Sequence, residues 1–373
     1  MTKDRNIFQN INVTRRQVLA AGGIGALGSA LLGAPAIVHA QASRTIKLIH
    51  ASPAILPLWS VTFLAEDMGF YKEEGLVVER VKLNNGPGAM TALLAGEGGA
   101  SMATPGEMLA ANVRGQAVKA IISYTKTDAY SILVSKQFAE KHKITAQSSL
   151  KDREAALRAA KGSLRIGITA AGSATDLMAR AAAKQVGLDP AKDVAIVPLQ
   201  TSGNAVAAMA NNAVDATVTL SPFTEQTIAE FGAIPLLAVA TGELKEPARL
   251  QGQCLQARPE DIAARPDVYA ALIRADLKAL RAIMEKPEQS RDLLRKTRYS
   301  AIKEDIWPTV WKNQLPTFVS PYVTRDAMRA WLETGTIPGN LNPATFAYDS
   351  VIDMSLVSDG LKKINWPLAA PKA

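Results

Sequence analysis

Residues 167–190 read "GITAAGSATDLMARAAAKQVGLDP": a strand end, a small-residue turn and a long helix. That grammar is half of an α/β unit, and it raises the question of whether the turn cradles a phosphate. A Walker loop needs a lysine beside its last glycine to reach the terminal phosphates, and Ala171-Gly172-Ser173-Ala174 has none. A dinucleotide fingerprint needs three spaced glycines, which Gly167 and Gly172 do not supply. What remains is a helix start with free amides, Ser173 or Thr175 as cap and Asp176 in the first turn. It is either a plainly capped helix or a terminus offered to a polar or anionic ligand. Asp176 weighs against the anion unless its carboxylate turns away.

The same alternation runs outward in both directions. Strands are expected at 46–50, 77–83, 100–103, 118–124 and 130–134, with helices between them. The charged helical segment "SLKDREAALRAAKG" then leads to strands at 164–169, 194–198, 215–219 and 236–240, again separated by helices. From about Thr241 the pattern turns helical and is expected to return over the first half. "GAMTALLAGEGGASMATPGEM" and "GNAVAAMANNAVDATVTLSPFTEQ" share helix, tight turn, short strand, small polar residue and proline, so two α/β lobes of similar build are expected. The expected division is a leader at 1–40, lobe 1 at 41–130, lobe 2 at 131–235, and a return to lobe 1 with C-terminal helices at 236–373.

The N-terminus is read as a twin-arginine export signal. Thr14-Arg15-Arg16-Gln17-Val18-Leu19 precedes a short apolar run broken by glycine and Pro35, and Val38-His39-Ala40 offers a cleavage site. About 333 of the 373 residues remain after cleavage, enough for two lobes. The leader holds Lys3, Arg5, Arg15 and Arg16 against Asp4, so a net charge of +8 falls to about +5, spread over helix faces. No basic run with interleaved aromatics suggests nucleic acid. The single cysteine, Cys254, cannot form an intrachain disulfide and reads as a small buried hydrophobe.

Catalytic patterns are scarce. After the leader the chain has only His50 and His142, and neither a nucleophile elbow nor a zinc motif. His142 is expected to be solvated, and His50 either faces a crevice or is structural. Loops of small hydroxyl, amide and glycine residues follow several strands: Asn84 to Ala89, Thr104-Pro105-Gly106, Thr169 to Thr175, Thr201 to Asn204 and Ser221-Pro222-Phe223. Carboxyl-end crevices are where open α/β sheets bind ligands, so these loops form an expected polar lining.

In order, "LPLWSVTFLAEDMGFYKEEGLVVERVKL", "GPGAMTALLAGEGGASMATPGE", the opening stretch and "NAVAAMANNAVDATVTLSPFTEQ" carry a resemblance over residues 45–240. They resemble the solute-binding component of ABC importers of the alkanesulfonate, nitrate and taurine kind. That superfamily also holds pyrimidine-precursor binders related to thiamine biosynthesis. The resemblance implies an α/β, two-lobed type II periplasmic binding protein, each lobe a mixed, mainly parallel sheet flanked by helices, with a hinge of crossing strands. It implies a ligand held by Ser52, Asn85, Gly86, Gly88, Thr104, Gly172, Ser173, Ala174, Thr175, Ser221 and Phe223, with Trp59 near the cleft mouth. It also implies a monomer with a small, anionic, sulfonate-, nitrate- or taurine-like solute, a membrane permease as partner, a periplasmic location, and no cofactor, metal or catalytic residue. The absence of arginine from the matched loops argues against sulfonate and favours amide and hydroxyl contacts or a less charged ligand. Members often carry an aspartate before the third strand; here Asp215 keeps it in the second lobe while Gly99-Ala100 replaces it in the first. An exported enzyme, or a pyrimidine-precursor protein, on the same scaffold is the alternative.

Overall fold

In a computed structural model, residues 44–339 and 341–370 are described, so the export-signal expectation lies outside the described residues. Among the described residues, ten strands make two five-stranded sheets. The first takes β1 (Arg44–His50), β2 (Leu76–Lys82), β3 (Ala100–Ala103), β4 (Lys119–Ser123) and β10 (Cys254–Ala257), in the order β2-β1-β3-β10-β4. The second takes β5 (Ser131–Val134), β6 (Leu164–Ile168), β7 (Val194–Pro198), β8 (Ala216–Thr219) and β9 (Ile234–Ala238), in the order β7-β6-β8-β5-β9. The two orders have one plan. A parallel trio is followed by one antiparallel strand that arrives from the other lobe, β10 in the first sheet and β5 in the second.

The strands form where apolar residues run without alternation, because helices cover both faces of such sheets. Leu48, Ile49, Ile121, Ile122, Ile132, Leu133 and Ile166 are fully buried. Burying each such side chain contributes about 2 kcal/mol. The helix Pro266–Glu285 lies over the first lobe, against the helices Ser60–Asp67 and Ser355–Lys363. At its centre the carboxylate of Asp276 accepts the hydroxyls of Tyr71 and Tyr124, each at 2.6 Å.

Two elements differ from the reading of the sequence. β10 was not anticipated within a stretch expected to be helical; four residues between Gly252 and Pro259 carry too little periodicity to show. β9 begins and ends two residues before the strand expected at 236–240, with Ser131 opposite Ala238.

The two crossings form the hinge. Tyr124 N donates to Gln253 O at 2.9 Å, Gly252 N to Lys126 O at 3.2 Å, and Val239 N to Tyr130 O at 2.9 Å. A Cβ at residue 252 would stand 2.4 Å from Thr125 Oγ1 and 2.6 Å from Asp128 Oδ1, so glycine there lets the segments touch. Where the first lobe has Gly99 in place of an aspartate, a side chain would be crowded. A side chain at Gly99 would meet Ile46 Cγ1 at 2.9 Å, and the Tyr269 hydroxyl donates to Gly99 O at 2.5 Å instead. In the second lobe Asp215 accepts from Arg165, backbone at 2.9 Å and guanidinium at 2.8 Å.

Candidate ligand cleft

The carboxyl ends of both parallel trios face one another, and a cavity of about 50 Å³ lies between them. From the first lobe come Ser52, Trp59, Asn85, Gly86, Thr104 and Glu107; from the second come Thr169, Ser173, Ala174, Thr175, Ser202 and Leu220. Tyr130 and Gln253 of the hinge close its floor. At Thr104, Glu107, Ser173 and Ala174 it continues into a wider cleft of about 410 Å³, rimmed by Arg114, Arg180, Lys184 and Trp331.

The lobes also meet directly. Asn85 Nδ2 donates to Gln200 O at 3.3 Å, Asn313 Nδ2 to Glu225 Oε1 at 2.7 Å, and Lys303 Nζ lies 2.9 Å from Glu230. Gln200 has φ of 72°, a left-handed conformation unusual for a residue with a side chain.

The opening stretch forms the second-lobe wall. Gly172, at φ of 74°, turns the chain, and Ser173 caps the helix Ala174–Gln185 by accepting Asp176 N at 3.4 Å. Thr169, Ser173 and Thr175 bond one another at 2.8–3.1 Å, and Thr175 Oγ1 also accepts Thr169 N at 2.9 Å. The Asp176 carboxylate folds back onto its own loop, accepting Gly172 N at 2.9 Å and Arg180 Nε at 2.7 Å. The question about Asp176 is thereby answered: it turns toward the helix start and takes up an amide that an anion would use.

The other residues expected at the site fall in three groups. Ser52, Asn85, Gly86 and Thr104 line the inner cavity with Ser173, Ala174 and Thr175, while Gly172 lines only the wider cleft. Trp59 sits at depth rather than at a mouth, 2% exposed, its indole N–H donating to Gln253 Oε1 at 3.3 Å. Gly88, Ser221 and Phe223 line neither space. Gly88 N donates to Asn85 Oδ1 at 3.0 Å as part of a helix cap, Ser221 Oγ to Glu225 Oε1 at 2.7 Å, and Phe223 packs on the core.

Glu107 was missed as a site residue, because in sequence it reads as an ordinary first-turn acid. Its Oε2 accepts the Thr104 hydroxyl at 2.7 Å, and burial pushes the carboxyl up to about 7. Its Oε1 stands 1.9 Å from where a Cβ on Gly86 would be, so the glycine makes room for the acid. Behind the cavity, Asp128 accepts Gln253 Nε2 and Thr125 Oγ1, each at 2.7 Å, and burial raises its carboxyl as well.

His50 does not line the cavity. Its ring lies against Trp59 and Phe63 at 4.7 and 5.6 Å between centroids, and its Nε2 is buried without a partner. Burial, then the charges of Arg80 and Lys82, depress it to about 3. His142, expected in solvent, is half-buried against Phe138, 4.3 Å between rings. Cys254 is buried and its thiol pushed up to about 12 by burial, as befits a core residue rather than a nucleophile.

Residues 54–295, more than half of the chain, match the sequence profile of the NMT1-like family, and the chain belongs to that family. No curated protein matches it. Among solved structures it is similar to a protein from Bordetella bronchiseptica RB50, at 19% identity over 87% of this chain and 98% of that one, with a TM-score of 0.71. The periplasmic nitrate-binding protein NrtA from Synechocystis PCC 6803 is similar at 15% identity over 87% and 90%, TM-score 0.68. The alkanesulfonate-binding protein SsuA from Xanthomonas axonopodis pv. citri, bound to MOPS, is similar at 18% identity over 83% and 98%, TM-score 0.62. The fold is that of the periplasmic binding proteins, as the resemblance in sequence implied.

Proposed function

We propose that this protein is a periplasmic solute-binding protein that captures a small solute between its lobes and presents the closed form to an ABC import permease. The observation that carries the reading is the inner cavity, enclosed by loops from both lobes over a hinge of two crossing segments. A ligand touching both walls favours closure because only the closed form offers both sets of contacts. The sequence resemblance suggests a sulfonate-, nitrate- or taurine-like solute; NrtA and SsuA, which share the fold, are named for nitrate and alkanesulfonate. The permease, the monomeric state and export by the twin-arginine route belong to the same reading. The residues proposed to touch the solute are those that line the cavity, with Ser52, Asn85, Thr104 and Thr175 among them.

The exported-enzyme reading had His50 as its best residue. With His50 packed behind Trp59 and Phe63, outside the cavity, no observation favours that reading. The test is mass spectrometry of small molecules released by denaturing the purified protein, with small-angle scattering before and after ligand is restored. A single unmodified compound, rebinding at one per chain and compacting the protein, is expected. Turnover of that compound, or scattering that does not change, would overturn the reading.

A further inference from the structure

We propose that Glu107 sets the ligand class of the cleft, selecting a small solute that presents N–H donors, such as an amidinium, a guanidinium or an amine, over an oxyanion. This rests on the solute-binding reading above and sets aside its nitrate- and sulfonate-like ligands.

The lining of the inner cavity includes no lysine or arginine among the described residues; its acid is Glu107, 6% exposed and shared with the wider cleft. No lysine or arginine pairs with that carboxyl among the described residues, and Thr104 engages only Oε2. Beside the lining, Gly172 N at the wider cleft is held by Asp176, Gly88 N by Asn85 Oδ1, and Asn204 N by Thr201 Oγ1 at 3.1 Å. The hydroxyls of Thr169, Ser173 and Thr175 are spent largely on one another. An oxyanion would therefore meet a carboxyl with no lining cation to offset it, whereas an N–H donor meets an acceptor.

The titratable groups around Glu107 are Asp128, Tyr130 and Cys254, all acids that burial shifts upward. The cations of the rim, Arg114, Arg180 and Lys184, line the outer cleft and not the inner cavity, with Arg180 paired to Asp176. A cationic donor binds the ionised carboxylate, so its affinity rises as pH climbs to about 7 and then levels. An oxyanion prefers the protonated acid, and its affinity falls over the same range.

Two near-isosteric trios test this on the purified protein: acetamidinium, acetamide and acetate; guanidinium, urea and nitrate. Binding at millimolar probe is followed by indole fluorescence and by protein NMR, from pH 5.5 to 8, in the original chain and in Glu107→Gln. The expected order is cation, then neutral amide, then anion, with cation affinity rising with pH and falling at least tenfold in Glu107→Gln. Thermal unfolding of the variant verifies that it folds. Acetate or nitrate binding best, or cation binding untouched by the substitution, overturns the inference and leaves the binding role standing. Binding by none of the six also overturns it, while a compound released from the native protein separately decides the broader reading.

Discussion

Gln253 donates Nε2 to Asp128 Oδ2 at 2.7 Å while its Oε1 accepts the Trp59 indole at 3.3 Å, so a single amide ties the hinge to the cavity floor. Asp128→Ala would leave that amide and the Thr125 hydroxyl buried without their acceptor. A loss of about 2–4 kcal/mol in stability is expected. Denaturant titration measures it, and a change below 0.5 kcal/mol, the scale of an ordinary surface substitution, would show that the hinge does not depend on this carboxyl.

Gly86 and Glu107 make a second coupled pair. Gly86→Ala places a methyl 1.9 Å from Glu107 Oε1, so the acid must swing out of its place. The single variant is expected to lose ligand affinity and about 1–3 kcal/mol of stability. Adding Glu107→Ala should restore much of the stability but not the affinity, giving a coupling energy in a double-mutant cycle. Additive stability losses would mean that the two side positions do not compete for space.

The pH dependence of folding separates His50 from the buried acids. Its folded value of about 3 lies below the free value of 6.5, so its contribution is present above 6.5 and lost as pH falls toward 3. Glu107 and Asp276, both raised to about 7 by burial, work the other way: their contribution is present near pH 4 and is lost as pH rises through 7. Comparing the original chain with His50→Leu cancels the acids. Between pH 7.5 and 5 the variant should gain about 2 kcal/mol relative to the original. A difference that does not move with pH would mean that the ring titrates normally.

Ser173→Ala with Thr175→Ala removes a helix cap and two members of the hydroxyl cluster. Each loss is expected to cost about 1 kcal/mol, and the affinity should fall because both residues line the cavity, with the fold retained. Calorimetry of the double variant checks this; unchanged affinity would mean that these hydroxyls are only caps.

How much of this was legible depended on repetition. The strands Ala100–Ala103 and Val194–Pro198 and the helix Phe223–Phe231 fall where their apolar runs and turns put them, because each is closed by glycine, proline or a capping residue. The loops that line the cleft were visible as a group, since many parallel strands end in the same kind of turn. Glu107 was not. Its meaning comes from Gly86, twenty-one residues earlier, and from a burial that no local pattern encodes. Likewise Asp128 and Gln253 lie 125 residues apart, and only the crossing of the chain brings them together. Gly88, Ser221 and Phe223 share the sequence context of the lining residues, yet caps and core packing use them instead.

The exchanged strands bear on how the chain is made. Ala103 of β3 pairs with Cys254 of β10, and β4 reaches its sheet only through β10. A ribosome that has released residues 44–123 has released four strands with a gap among them, and the gap stays open until residue 257 emerges. The nascent first lobe must wait for the whole of the second with an unpaired edge on either side of that gap. Such contacts between distant parts of a chain fold slowly and leave edges that invite aggregation. Truncations ending between residues 124 and 253 should therefore yield aggregates rather than a free-standing lobe.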